Sequence, residues 1–183
     1  MAAWKKWRTG LSGLILAGVV ATSAQAQMPA DTQFINDIRD KKYSETLTYL
    51  VNGNSPNVRD YNGVPAIVAA AEIGDAGMVK ELLKYGANPN MVNRQDGATA
   101  MHRAAARGSD ITISVLVVNG ADIDPIDSLG ETPLIKAVKE GNLKATEMLL
   151  SINANPNFTD YTGYSAYDHA QRSRDWRIKK LFQ

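Results

Sequence analysis

Two kinds of punctuation recur along this chain at one period. A turn glycine stands at Gly63, Gly97, Gly130 and Gly163, at spacings of 34, 33 and 33 residues. The Gly or Asn that ends an apolar run falls at Gly53, Gly86, Gly120 and Asn153, at spacings of 33, 34 and 33. A fixed period of this size marks a solenoid, in which each unit is one supersecondary element that buries its apolar face only against its neighbours. An all-α repeat solenoid is therefore expected.

The clearest unit is Asp127 to Thr159. Asp127-Ser128-Leu129-Gly130 reads as a turn, with Asp placed to accept backbone N–H bonds and Gly supplying a positive φ. Thr132 is a helix cap and Pro133 occupies the first helical position, where a missing N–H costs nothing. Leu134, Ala137 and Val138 form the stripe of a short helix that Gly141 stops. Leu143, Met148, Leu149 and Leu150 are expected to supply the buried face of a second helix, which Asn153 ends where other units use Gly. Small residues at Ala69, Ala70, Ala71, Ala104, Ala105 and Ala137 mark places where helices approach closely.

The organisation follows from that template. Residues 1–26 read as a secretory leader: Lys5, Lys6 and Arg8, an uncharged run of 11 residues from Leu11 to Ala21, then a small-x-small site at Ala24-Gln25-Ala26. The run is short for a membrane span. Cleavage after Ala26 would leave a chain that begins at Gln27, is exported, and does not insert in the membrane. Residues 27–59 read as a degenerate N-terminal capping repeat, with Phe34, Ile35 and Ile38 and then Leu47, Leu50 and Val51 at helical spacing. Full repeats follow at 60–93, 94–126 and 127–159, with Asn93 as a one-residue insertion between units. Residues 160–183 form a C-terminal capping repeat, in which Arg172, Arg174, Arg177, Lys179 and Lys180 interrupt the pattern.

Composition narrows the partners. Without the three leader cations, the 20 Lys+Arg become 17 against 19 Asp+Glu, a formal −2. That balance offers no basic stripe for a nucleic acid. Cysteine is absent, so there is neither a lipid-anchoring thiol nor a disulfide.

The motifs resemble the ankyrin repeat. The third unit carries Thr132-Pro133-Leu134 and Leu149-Leu150, and the second Thr99, His102 and Gly120-Ala121-Asp122. The first carries Val79, Leu82-Leu83 and Gly86-Ala87-Asn88-Pro89-Asn90. Val64-Pro65-Ala66-Ile67 and Ser165-Ala166-Tyr167-Asp168 depart from the family's T-P-L-H. The resemblance covers about residues 31 to 183. It implies helix-turn-helix units joined by β-hairpin-like turns, a non-enzymatic binding scaffold, and a concave recognition face of turn tips and first helices. His102 matches the family's structural histidine, a tie between turns.

No catalytic, cofactor or metal constellation stands out. His169 follows Asp168, but helix neighbours point to different faces, which is poor geometry for a base and its orienter. No His-x-x-x-His spacing offers a metal site, and the glycines are spaced for turns, not gathered in a phosphate loop. Candidate partner contacts are tip residues: Tyr61 and Tyr161 after the turn aspartates, Tyr164 after the turn glycine, and Val64 and Leu129 adding apolar area. Glu72, Arg107, Lys139 and Glu140 would rim the same face, and their mixed charge argues against a strongly charged ligand. The expectation is one protein partner, bound in the periplasm of a Gram-negative bacterium. The alternative is a structural or self-associating envelope stabiliser.

Overall fold

The computed structural model describes residues 28–183. The leader expected at residues 1–26 lies outside the described residues, as does Gln27.

Ten helices form five pairs among them: α1 (Ala30–Arg39) with α2 (Tyr43–Val51), α3 (Ala66–Glu72) with α4 (Ala76–Lys84), and α5 (Ala100–Arg107) with α6 (Asp110–Val118). Then come α7 (Pro133–Lys139) with α8 (Leu143–Ser151) and α9 (Ala166–Arg172) with α10 (Trp176–Lys180). The first helices of the pairs pack in sequence as one layer, α1 to α9, and α4, α6, α8 and α10 line up as a second. Helices of five to ten residues are too short to persist alone. Burial supplies the difference: Ala66 through Ala71 of α3 are all buried, and so are Leu134, Ile135, Ala137 and Val138 of α7.

Local chemistry fixes the ends of these helices. Thr132 Oγ1 accepts the Ile135 N–H at 3.3 Å with Pro133 at the first position. Asp75 and Ser109 cap the second helices α4 and α6 at 2.9 and 3.3 Å. Asn153 holds φ +65°, the left-handed stop expected of it.

Each turn is built on an acid or amide. Asp127 Oδ1 accepts the N–H groups of Leu129 and Glu131 at 2.8 and 3.0 Å, and the Gly130 N–H closes on the Asp127 carbonyl at 3.0 Å. Asp60 and Asp160 repeat this pattern. Asn93 is not a spacer between units. Its Oδ1 accepts the Gln95 N–H at 3.1 Å, its carbonyl takes the Gly97 N–H at 2.8 Å, and its N–H reaches Ala98 at 2.8 Å. Asn93 is thus the turn residue of the second full unit, and the extra residue widens the turn that follows it.

Several of the expected core residues are not fully buried, Leu47 among them. Val51 is exposed at the end of α2, where Thr46 is buried beside Leu50. In α8 the fully buried residues are Ala145, Thr146 and Leu149, while Leu143, Met148 and Leu150 are only partly covered. Close stacking of second helices leaves room for a methyl or hydroxyl where the pattern suggested a leucine. Val64 is buried as well, for a reason that belongs to the candidate site.

Candidate protein-docking face

The turn tips form a continuous strip. The Arg94 N–H donates to Gly63, that of Ser128 to Asp96 and that of Tyr161 to Leu129, at 3.3, 2.9 and 3.0 Å. Backbone bonds between repeats hold the tips in register, so their side chains stand on a rigid base.

On this strip Tyr61 is 79%, Leu129 56% and Tyr161 73% exposed. The two tyrosines are not equivalent. A Cβ at Gly130 would lie 2.6 Å from the Tyr161 ring, so the turn glycine seats that ring as well as taking a positive φ. Arg94 lays its stem over Gly63 in the same way. Among the described residues no turn precedes Tyr61 for its ring to rest on. Tyr164 is half covered: the Arg172 guanidinium stacks 3.7 Å from its ring centroid, and His169 meets its edge at 5.8 Å.

Val64 fails as a tip contact. It follows the turn glycine, as do Ala98, Glu131 and Tyr164, and in every unit but the last this position is buried. Only Tyr164, with no repeat after it among the described residues, stays partly open.

A row of basic side chains runs along the first helices, each set against a turn acid. Arg39 Nη2 lies 2.9 Å from Asp60 Oδ2, an ion pair without hydrogen-bond geometry, and Arg103 pairs with Asp96. Lys136 Nζ sits 3.0 Å from Asp127 and also contacts buried Glu131, which Lys139 holds from its other side. His169 Nε2 meets Asp160 Oδ2 at 2.8 Å. Arg103, Lys136 and His169 recur every 33 residues, a periodic signal that no single motif carries. In the first unit that place is Ala69, and Arg39 from the preceding pair serves instead.

These contacts set the local electrostatics. Burial alone would raise the carboxyls of Asp127 and Glu131. Hydrogen bonds from Lys136, joined by turn N–H groups at Asp127 and by Lys139 at Glu131, outweigh it and hold both below the usual range. Asp160 is lowered in the same manner, burial being overcome by Thr162, His169 and the turn N–H groups.

The rim residues have therefore separate duties. Lys139 is half engaged with Glu131, and Arg107 reaches back to the Ile73 carbonyl at 3.3 Å. Glu72 and Glu140 are exposed, with no ion pair among the described residues. Neither histidine is free. His102 Nδ1 accepts the Thr99 N–H at 3.1 Å and its Nε2 faces the Glu131 carbonyl at 2.9 Å. Asp168 turns from His169 to cap Ser165. No described helix is long and apolar enough to cross a membrane.

Comparison with known proteins agrees with this geometry. The chain is 34% identical over 122 residues to the B-cell lymphoma 3 protein homolog of Mus musculus, covering 64% of this chain and 27% of that protein. It is 33% identical over 134 residues to the mouse Ankyrin repeat and SAM domain-containing protein 6, 70% of this chain and 15% of the other. A Putative ankyrin repeat-containing protein of Treponema pallidum is 27% identical over 145 residues, 79% and 49%. The chain thus spans less than half the length of each. The sequence profile of Ankyrin repeats (3 copies) matches residues 38–127, 66–160 and 105–182. With the match running through most of its length, this chain belongs to the ankyrin-repeat family, whose arrays are generally protein–protein interaction modules.

Proposed function

We propose that this protein is an exported ankyrin-repeat module, without catalysis of its own, that docks one protein partner on its concave face. The observation that carries the reading is the row of Tyr61, Leu129 and Tyr161, exposed on tips that backbone bonds hold in register. Aromatic and apolar groups on a preordered base are what interface anchors need. Export rests on the leader-like pattern of residues 1–26, and the periplasm is the compartment it suggests. The test is a photo-crosslinking side chain at Tyr61 or Leu129. A single adduct with another exported protein supports docking; no adduct at either place removes it.

A second reading, self-association, has its own observation. The outer helix α6 exposes Ile111 and Val118, 65% and 82%, where α4 carries Gly77 and Lys84 and α8 carries Lys144 and Ser151. A crosslinker at Val118 that yields an adduct of twice the chain's own mass favours this reading.

A further inference from the structure

The last cleft on the first-helix side departs from its counterparts. Helices α3, α5 and α7 are each followed by a loop glycine, Gly74, Gly108 or Gly141, with positive φ. At the matching place after α9 stands Arg174, and Ser173 before it is extended, φ −59° and ψ 146°. A left-handed stop is thus replaced by a long cationic side chain. Arg174 lines a cleft of about 470 Å³ together with Lys139, Glu140, His169 and Arg172.

Charge in this cleft is not matched from within. Arg39, Arg103 and Arg177 each have a carboxylate partner, whereas Arg172 and Arg174 take part in no ion pair among the described residues. Arg172 stacks on Tyr164 at 3.7 Å, which fixes the guanidinium plane while leaving its N–H edge for a ligand. Of the other groups in the cleft, Lys139 is shared with Glu131 and His169 is held by Asp160. Asp175 is gripped by Arg177 Nε and Nη2 at 3.0 and 2.7 Å and caps α10. Within the lining Glu140 opposes the two arginines, and Asp168, one turn before Arg172 on α9, feels the Arg172 charge from outside it.

We propose that this cleft holds an acidic side chain of the partner protein, an Asp or Glu in an extended acidic segment, clamped by Arg172 and Arg174. Guanidinium groups match a carboxylate with paired N–H donors. A polypeptide fits better than a nucleic acid, because phosphate tracking needs a basic stripe and the chain without its leader is formally −2. This rests on the first-helix side being the docking side.

The test measures fluorescence anisotropy with three labelled probes: a Glu-rich peptide of about a dozen residues, a Lys-rich peptide of equal length, and inorganic polyphosphate. The Glu-rich peptide should bind in preference to both others. The double variant Arg172→Gln/Arg174→Gln should weaken it roughly ten-fold or more, as expected for loss of charge-assisted hydrogen bonds. Lys180→Gln removes one positive charge on α10 outside the cleft lining and should change affinity less than about two-fold. Arg174→Ala removes the side chain without adding backbone freedom, so it should keep the melting temperature and still weaken binding. Equal binding of the Lys-rich peptide, stronger binding of polyphosphate, no binding of the Glu-rich peptide, or affinity untouched by the Arg variants would each overturn the proposal. If the peptide fails while a tip crosslinker captures a partner, docking stands and the acidic cleft falls. If the peptide binds as expected while the tips capture nothing, the tips are not anchors.

Discussion

His102 Nε2 of one repeat lies 2.9 Å from the Glu131 carbonyl of the next, while its Nδ1 accepts the Thr99 N–H at 3.1 Å. The amide proton settles the tautomer: Nδ1 must be bare, so Nε2 carries the hydrogen and donates. Protonating the ring would set N–H against N–H at Thr99. Burial lowers the His102 pKa, partly offset by the bond to Glu131.

The sign of the pH effect follows. The unfolded chain binds this proton near pH 6.5 and the folded chain only below that, so stability should fall as pH drops beneath about 6.5. Asp127, Glu131 and Asp160 are lowered too, so their contribution is lost at still lower pH, below about 4. His102→Gln should cost about 1–3 kcal/mol at pH 7 by disturbing a buried bond. Urea melts across pH should show the His102 step in the wild type and its loss in the variant. An unchanged step would mean that another group is responsible.

Tyr61 and Tyr161 separate anchoring from packing. Tyr61→Ala removes a ring that rests on no preceding turn and should change stability by less than about 0.5 kcal/mol. Tyr161→Ala uncovers Gly130 and should cost more than Tyr61→Ala in the same melts. Equal effects would contradict the seat that Gly130 provides.

The core register is checked at Leu149, which is fully buried between neighbouring helices. Leu149→Ala should cost about 2–5 kcal/mol through lost transfer and a residual cavity. A loss under about 1 kcal/mol in urea would place this leucine at the margin of the core.

The period and caps made the fold legible because Gly, Pro, Thr and Asn act on backbone within their own unit. Thr132, Pro133 and Asn153 needed no neighbour to be understood. Contacts between units were harder to see. Val64 reads as a tip residue yet is buried in the stack, and Asn93 looks like a spacer until its side chain is seen closing a turn. Mixed rim charge at Lys139 and Glu140 hid the fact that Lys139 answers buried Glu131, while Arg172 and Arg174 form no ion pair among the described residues. The basic series at Arg103, Lys136 and His169 was present in the spacing, but its meaning lies in acids brought close only by folding.

The last prediction concerns a rung built with the wrong group. Asn57 donates to the Gly86 carbonyl at 3.0 Å and accepts the Asn88 N–H at 2.7 Å, and Asn90 does the same with Gly120 and Asp122 at 3.2 and 2.8 Å. Each amide thereby ties one repeat to the backbone of the next. At the third rung stands Asp124, which accepts the Asn155 N–H at 3.1 and 3.2 Å but has no donor for the Asn153 carbonyl, the counterpart of Gly86 and Gly120. Burial raises its carboxyl pKa, against the bond from Asn155, and Asp122 adds repulsion. A raised acid costs stability above its folded pKa, and that cost is relieved as pH falls through it. Asp124→Asn supplies the missing donor and removes the charge, so it should stabilise the protein by about 0.5–1.5 kcal/mol at pH 7. The advantage over wild type should shrink as pH is lowered through the raised pKa of Asp124 and the side chain takes up a proton. Urea melts at neutral and at acidic pH read both effects. A variant no more stable than wild type at pH 7, or a gap that widens in acid, would show that the Asn rung carries no bond worth making at this junction.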